Sequence, residues 1–170
     1  MTVVVALTKG HSTLVDDADW EFLRQFTWRA VMASPNALVY AVTTIPSPDR
    51  RQLRLHRMLL NPPPGILADH INGDTLDNRR CNLRLATAAQ NAANCRRTKS
   101  KYVGVRRIGF RYYVHLMCQG ALLSSSGGFD TAEDAARARD ALALRHHGEF
   151  AVLNFPREDV GASSRGGPGA

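Results

Sequence analysis

The amino-acid sequence predicts an α+β protein with two successive groups of strands and helices. Short runs that alternate polar and apolar residues, such as Asn82 to Ala86, are typical of half-buried strands. Two helical segments begin after capping residues, Thr87 and Thr131. A chain of 170 residues is long enough for one domain or for two small ones, so these patterns leave the domain count open.

The first sixty residues predict a small mixed unit. Its strands are expected at Val3 to Leu7, Ser12 to Val15, Trp28 to Val31 and Leu38 to Thr43. A short helix capped by Asp16 or Asp17 is expected next, with Trp20, Leu23 and Phe26 or Thr27 at helical spacing on its apolar face. The next run, Leu53 to Leu60, is apolar except for a few polar residues that include His56 and Arg57.

The segment from Asp69 to Asn94 predicts a strand, a polar loop, a second strand and a helix. Ile66 to Ile71 is an apolar run interrupted by Asp69 and His70, and strong turn residues follow it at Asn72-Gly73-Asp74. If the two strands pair and the helix folds back over them, Asn91 comes beside Asp69 and His70.

These side chains suit one kind of chemistry. Asp69 and the amide oxygen of Asn91 are hard oxygen ligands of the type that Mg²⁺ takes. His70 is a candidate general base at neutral pH, and Asn82 is a candidate clamp that orients it across the loop. A calcium loop is excluded because Ile71 and Arg80 occupy its third and twelfth positions. The pattern favours attack of a metal-assisted water on a phosphodiester.

The segment resembles the HNH endonucleases, whose signature positions fall on His70, Asn82 and Asn91. It is most similar to the phage and intron-associated branch, in which the preceding Asp and the helix Asn hold the metal. The resemblance implies a ββα-metal (His-Me finger) fold and hydrolysis of DNA, with one Mg²⁺ (or Mn²⁺) ion per active site bound by Asp69 and Asn91. An Asn at the third position argues against zinc.

The same family often carries a His-Arg pair upstream. His56 and Arg57 are therefore expected to line the site, together with Asn94. A buried core histidine is the alternative interpretation of His56.

The basic residues are concentrated in one stretch. The net charge is +7, and no Asp or Glu occurs between Asp77 and Asp130. An acid-free basic tract is what a phosphate backbone requires. The candidate DNA-binding residues are Arg79, Arg80, Arg84, Arg96, Arg97, Lys99, Lys101, Arg106, Arg107, Arg111 and Tyr113.

Residues 100–156 predict three antiparallel strands and a helix. The strands are expected at Tyr102 to Arg107, Arg111 to Met117 and Ala121 to Phe129, and the helix from Thr131 to about His147. Three marks, Lys101 to Arg107, Gly128 to Ala136 and Leu153 to Pro156, resemble the plant ethylene-response-factor type of DNA-binding domain. The resemblance implies a sheet that lies in a major groove, although a Tyr replaces the usual Trp and base preferences do not transfer.

The predicted organisation has three parts. Residues 1–98 form the catalytic unit with its motif at 66–97, residues 99–157 form the DNA-binding domain, and 158–170 form a disordered tail. No apolar run approaches the roughly 20 residues of a membrane span, and Met1 to Leu7 lacks the basic start of a signal peptide. A cytoplasmic protein without a membrane partner is expected, in the host cytosol if it is phage-encoded.

The predicted function is a site-specific, homing-type endonuclease of phage or mobile-intron origin. It is expected to nick double-stranded DNA as a monomer, with a dimer as the alternative. The main rival is a DNA-binding transcriptional regulator with a decayed nuclease motif. An RNA-binding protein is disfavoured because no RNA-type stacking motif is present.

Overall fold

The computed structural model describes residues 1–32, 38–45, 50–94, 100–118 and 120–155. Its mixture of helices and strands confirms the α+β class. The chain forms two compact units, Met1–Ala88 and Ala89–Ala170. The predicted tail at 158–170 lies outside the described residues, as do Arg96, Arg97 and Lys99. The boundary between the two units, after Ala88, comes earlier in the chain than the boundary predicted after residue 98. The assignment of a function to each domain stays a prediction.

The first unit contains three small antiparallel sheets. Their strands are β1 (Thr2–Ala6) with β2 (Ser12–Asp16), β3 (Arg29–Met32) with β4 (Val39–Thr44) and β5 (Gln52–Arg54), and β6 (Leu67–His70) with β7 (Leu83–Ala86). The four strands predicted before residue 50 are confirmed, each to within one residue at either end. The strand pair predicted around the polar loop is confirmed as β6 and β7.

Three short helices occur between residues 17 and 93, and the third belongs almost entirely to the second unit. They are α1 (Asp17–Leu23), α2 (Leu55–Leu60) and α3 (Ala88–Ala93). Asp16 stands at the N-cap of α1, but its carboxylate accepts a hydrogen bond from the backbone of Arg80 (2.7 Å) instead of capping the helix. The helix also ends before Phe26, which the sequence pattern had included in its apolar face.

Helix α2 covers the strands that carry the candidate site. It packs against β4, β5, β6 and β7 and buries Leu55, His56 and Leu59. The helix ends at Asn61, whose φ of 42° is left-handed, a conformation that Asn tolerates better than most residues. Pro62 follows and cannot continue the helix. This packing places His56 beside two strands that precede it in sequence, β4 and β5, and two that follow it, β6 and β7.

The core of the first unit joins the amino-terminal hairpin to α2. Val15, Leu23 and Leu55 are completely buried or nearly so, and Leu83 of β7 packs in the same cluster. Trp28 donates its indole N–H to the carbonyl of Leu23 (2.9 Å), so that its one polar group is satisfied inside the core. The β6–β7 hairpin is thereby anchored to residues near the start of the chain.

The second unit contains a three-stranded antiparallel sheet and a long helix. The strands β8 (Val105–Ile108), β9 (Arg111–Cys118) and β10 (Ala121–Ser124) lie in the order β10-β9-β8. Helix α4 (Ala132–His147) packs on β8 and β9. Thr131 caps α4 as predicted, because its hydroxyl accepts from the backbone N–H of Asp134 (3.1 Å).

The predicted third strand, Ala121 to Phe129, is wrong in its length. The strand ends at Ser124, and the Ser125 hydroxyl accepts from the backbone N–H of Val114 (3.2 Å). Phe129 instead forms an isolated bridge with Tyr112. The first strand likewise begins at Val105 and not at Tyr102.

A buried polar network closes the second unit at its carboxyl end. The Asp140 carboxylate accepts from the backbone N–H groups of Asn154 (2.6 Å) and Phe155 (3.0 Å). The side chain of Asn154 bonds both backbone groups of Val103, at 2.7 and 3.1 Å. Arg139 pairs with Asp140 and donates to the carbonyl of Val152. Through Asn154, the Leu153-Asn154-Phe155 mark thus joins Asp140 of α4 to Val103, just before β8.

No helix in the described ranges is both long enough and apolar enough to cross a membrane.

Replacing Gly104 by Ala should destabilise the second unit strongly. Gly104 has a φ of +69°, and a Cβ there would lie 2.6 Å from the carbonyl oxygen of His115. Gly120 has a φ of +82°, but a Cβ there would have no atom within 4 Å. The Gly120→Ala variant therefore measures the cost of the backbone conformation alone. We expect Gly104→Ala to lower the free energy of unfolding by roughly 2–4 kcal/mol and Gly120→Ala by about 1–2 kcal/mol, measured by urea unfolding. If both variants lost the same free energy of unfolding, the close approach of Gly104 to the carbonyl of His115 would not contribute to stability.

The free energy of unfolding should decrease as the pH falls, because His56 is buried. Burial, reinforced by electrostatic interactions with His70, Arg54 and Arg57, lowers the pKa of His56 from 6.5 to about 3. The unfolded chain takes up a proton near pH 6.5 that the folded chain does not accept until about pH 3. The stabilising contribution is therefore complete above pH 6.5 and is lost as the pH falls, by up to roughly 1.4 kcal/mol per unit.

The His56→Phe variant provides the comparison. Its free energy of unfolding, measured in urea between pH 4 and pH 7, should depend less steeply on pH than that of the unmodified chain. If the two slopes were the same, His56 would not carry the pH dependence.

Candidate active site

The candidate site lies where β6 ends and the chain enters the long connection to β7. Residues 71–82 form this connection, here called the β6–β7 loop. The antiparallel register places Asp69 opposite Arg84 and His70 opposite Leu83. Asp69 and His70 are both buried, at 7% and 4% exposure. The carboxylate and the imidazole predicted to do the chemistry therefore lie largely outside bulk water.

His70 is held between two side chains. Its Nε2 lies 3.1 Å from Oδ1 of Asn78, and its ring meets the ring of His56 edge to face at 4.8 Å between centroids. Burial lowers the pKa of His70, while the Asn78 hydrogen bond and the charges of Asp69, Asp74 and Asp77 act in the opposite direction. The net effect is a lowered pKa. A neutral imidazole at neutral pH is able to accept a proton.

Asn78 is a residue that sequence reasoning missed. Its side chain is completely buried and bonds both His70 and the hydroxyl of Thr13 on β2. Within the polar run from Asp77 to Asn82 it looks like any loop residue, and nothing in the spacing separates it from its neighbours. Only the folding of the loop onto β2 brings it to the imidazole.

Asn82 holds the β6–β7 loop together. Its Oδ1 accepts from the backbone N–H of Asn72 (3.0 Å), and its Nδ2 donates to Oδ1 of Asn72 (3.0 Å) and to the carbonyl of Asp77 (2.8 Å). The side chain spans the loop, which is the geometry expected of a clamp. The contact to the His70 ring, however, comes from Asn78. Asn82 thus acts on the shape of the loop, and its role in catalysis stays a prediction.

Asp69 pairs with its cross-strand partner. The Nε of Arg84 donates to Oδ2 of Asp69 (2.9 Å), and both side chains are largely buried. Arg84, predicted to bind DNA, is therefore engaged with the predicted metal ligand, because residues opposite each other in an antiparallel pair place their side chains together.

The donor chemistry of Asp69 fits a hard divalent cation. A carboxylate has two oxygens with about four lone-pair sites, and the bond from Arg84 uses one of them. In the part of the chain that the structure describes, no three His, Cys, Asp or Glu side chains form a group that could hold a metal. Protein oxygens, water and substrate phosphate are the ligands that Mg²⁺ commonly takes.

Two further arginines of the predicted DNA-binding set are engaged by carboxylates. Arg79 forms a bidentate pair with Asp77, with both contacts at 2.7 Å. Arg80 binds Asp19 of α1 through its Nε at 2.8 Å. Asp19 is remote in sequence, so charge counting along the chain could not have found this pair. A contact of either arginine with DNA stays a prediction.

The remaining candidates of the nuclease segment are divided between the two units. The ring of His56 contacts that of His70, whereas Arg57 is exposed on α2, and the role of both residues at the site stays a prediction. Asn91 is exposed on α3, and Asn94, just after α3, is buried. Both asparagines belong to the second unit. Their predicted placement beside Asp69 stays a prediction.

In the second unit, Arg106, Arg111 and Tyr113 share one face of the sheet. Val114 and Leu116 of β9 are buried on the side of α4, so the alternate residues point away from it. This second side, here called the open face, carries Arg106, Ile108, Arg111, Tyr113, His115, Met117 and Leu122 by register. It brings two arginines and one aromatic side chain of the predicted DNA-binding set together.

The other basic candidates of this unit are placed differently. Arg107 pairs with Tyr112 in the register and so points to the opposite side from Arg106. Arg111, although on the open face, also donates to the carbonyl of Gly128 (2.9 Å). Lys101 is exposed, with its Nζ 5.2 Å from the centre of the Tyr102 ring.

Comparisons with known proteins point to one family. A family model described as HNH endonuclease matches residues 62–93, which include β6, the β6–β7 loop, β7 and α3. An uncharacterized HNH endonuclease of Acanthamoeba polyphaga mimivirus is 30% identical over 152 residues, covering 86% of this chain and 76% of that relative. No solved structure gives a significant match. The chain therefore belongs to the HNH endonuclease family and is a nuclease.

Proposed function

We propose that this nuclease hydrolyses double-stranded DNA with one divalent cation, Mg²⁺ or Mn²⁺, and that it selects its sites. The observation that carries the proposal is the buried imidazole of His70, which directly follows Asp69 in the matched segment and whose pKa is lowered by burial. An imidazole next to a hard oxygen ligand is suited to hydrolysing a phosphodiester bond, the reaction of a nuclease. The proposed fold of this segment is the ββα-metal (His-Me finger) arrangement that the family implies.

His70 would act as the general base. Its ring accepts the proton of a water as that water attacks the phosphorus, and burial keeps the ring neutral beforehand. Asn78 and His56 restrict the orientation of the ring from two sides. Such pre-alignment matters because proton transfer requires the base within hydrogen-bond distance of the water.

Asp69 would hold the metal. A divalent ion there supplies positive charge that stabilises the leaving oxygen. Before any cation binds, the guanidinium of Arg84 offsets the negative charge of this largely buried carboxylate. Asn91 as a second ligand is supported by the resemblance of the sequence to the family signature.

Site selection is assigned to the open face of the second unit. Arg106 and Tyr113 are register partners on this face, and Arg111 lies beside them. An arginine that reaches a guanine edge with two hydrogen bonds contributes about 1 to 3 kcal/mol of discrimination. The resemblance to the ethylene-response-factor type of domain, which places such a sheet in the major groove, supports this assignment.

The matched segment occurs once in the chain, which supports nicking of one strand per binding event by a monomer. A regulator with a decayed nuclease motif is disfavoured. Asp69, His70 and Asn82 are all present and held by hydrogen bonds or ion pairs, whereas a decayed site has no reason to keep them together.

Replacing His70 by Ala should remove nicking while DNA binding is retained. Loss of a general base lowers the rate by roughly 100- to 10,000-fold, because the water must then lose its proton to solvent. The measurement is conversion of supercoiled plasmid to open circle with Mg²⁺ and with chelator, alongside binding to a labelled duplex by fluorescence anisotropy. His146→Ala, an exposed histidine on α4, is the control and should behave like the unmodified chain. Nicking that survives in His70→Ala would overturn the assignment.

Replacing Arg106 by Ala should flatten the sequence preference of cleavage. The variant should lose roughly 5- to 150-fold of the ratio between preferred and other sites, the equivalent of about 1 to 3 kcal/mol. Sequencing the products from a randomised duplex library measures this ratio. Arg145→Ala removes the same charge from the last turn of α4 and is the matched control. If both variants changed the sequence preference equally, the open face would not be the surface that recognises the DNA sequence.

A further inference from the structure

The side chain of Asn78 bridges β2 and the catalytic histidine. It is completely buried, and its Oδ1 lies 3.1 Å from Nε2 of His70. Its Nδ2 donates to the hydroxyl of Thr13 (2.8 Å) and to the carbonyl of Thr75 (3.3 Å). The Thr13 hydroxyl in turn donates to the carbonyl of Leu76 (2.6 Å). Every polar atom of the amide therefore has a partner.

The partners determine which way the amide faces. A hydroxyl has one proton, and that of Thr13 is given to Leu76, so its oxygen can only accept from Asn78. The carbonyl of Thr75 can also only accept. A rotated amide would set its own oxygen against these two acceptors. Oδ1 must consequently face His70.

The amide orientation determines the tautomer of the histidine. An amide oxygen accepts and cannot donate, so Nε2 of His70 must carry the proton in this contact. In the neutral ring, the remaining nitrogen, Nδ1, is then the atom able to take a proton. The second ring contact, edge to face with His56, restricts rotation that would exchange the two nitrogens.

We infer that Asn78, backed by Thr13, is a positioning residue that selects the tautomer of His70 for catalysis. The inference rests on the proposed role of His70 as the base. It also extends the catalytic apparatus to β2, because Thr13 lies outside the matched segment 62–93. A polar partner behind an active-site side chain commonly changes activity by 10- to 100-fold when it is removed.

A merely structural role for Asn78 would look different. A buried side chain with several hydrogen bonds stabilises the β6–β7 loop whichever nitrogen of His70 holds the proton. Loss of stability alone therefore cannot separate the two roles. The distribution of the proton between the two ring nitrogens of His70 distinguishes the two roles.

The test uses the full chain with ¹⁵N-labelled histidine at pH 8, where the neutral imidazole predominates. Long-range ¹H–¹⁵N correlation spectra report which ring nitrogen of His70 is protonated, and the His70→Ala spectrum assigns its signals. We expect the Nε2-protonated form in the unmodified chain. A dominant Nδ1-protonated form would overturn the inference, whatever the nicking rate.

Variants connect the tautomer to the reaction. Asn78→Ala should give a mixture of tautomers and lower the plasmid nicking rate by roughly 10- to 100-fold, with duplex binding unchanged. An Asn78→Ala protein that folds with the original spectrum and the original rate would contradict the inference.

Thr13 offers a matched pair that tests the network away from the ring. Thr13→Val keeps the shape but removes the hydroxyl, and should shift the tautomer distribution and lower the rate several-fold. Thr13→Ser keeps the hydroxyl and should match the unmodified chain in both readouts. If the valine and serine variants were indistinguishable, Thr13 would have no part in positioning, and this result stands even where Asn78→Ala fails to fold. The proposed function fails separately, through persistent nicking by His70→Ala.

Discussion

The candidate site depends on the attachment of the β6–β7 loop to the edge of β2. The backbone N–H of Leu14 donates to the carbonyl of Leu76 (2.9 Å), and the backbone N–H of Asn78 donates to the carbonyl of Leu14 (2.8 Å). These two bonds hold the loop in parallel beside a strand formed by the first residues of the chain. Apart from a 3₁₀ turn at Arg80–Asn82, this polar loop contains no helix or strand. Its attachment to a packed hairpin is what gives the side chains behind His70 fixed positions.

Electrostatics gives the basic tract two different roles. In the first unit, Arg79, Arg80 and Arg84 each meet a carboxylate, and the Arg84 pair lies almost out of water. A buried carboxylate requires such a partner because desolvation of an isolated charge is costly. The arginines of the nuclease segment therefore offset the charges of carboxylates in and around the candidate site. On the open face of the second unit, Arg106 is presented outward by the strand register instead.

The second unit shows how a small sheet can expose one side. Its helix α4 is rich in alanine, and Ala135, Ala136 and Ala143 are completely buried, so the helix backbone can approach the sheet closely. Gly104 and Gly128 permit equally close approaches at the sheet margin. The covered side is filled by small residues and by Val114 and Leu116, whereas Arg106, Arg111 and Tyr113 lie on the other side.

Local patterns in the sequence determined the α+β class, most strand positions and the chemical types at the site. Alternation of polar and apolar residues and the capping of α4 act over a few residues, and they can therefore be recognised without the fold. The tertiary structure alone decided the contact of Asn78 with His70, the edge-to-face packing of His56, and the pairing of Arg80 with Asp19. Each of these joins residues from different elements or from opposite ends of a loop. Their distance is set by how the strands and helices pack, and no spacing along the chain encodes it.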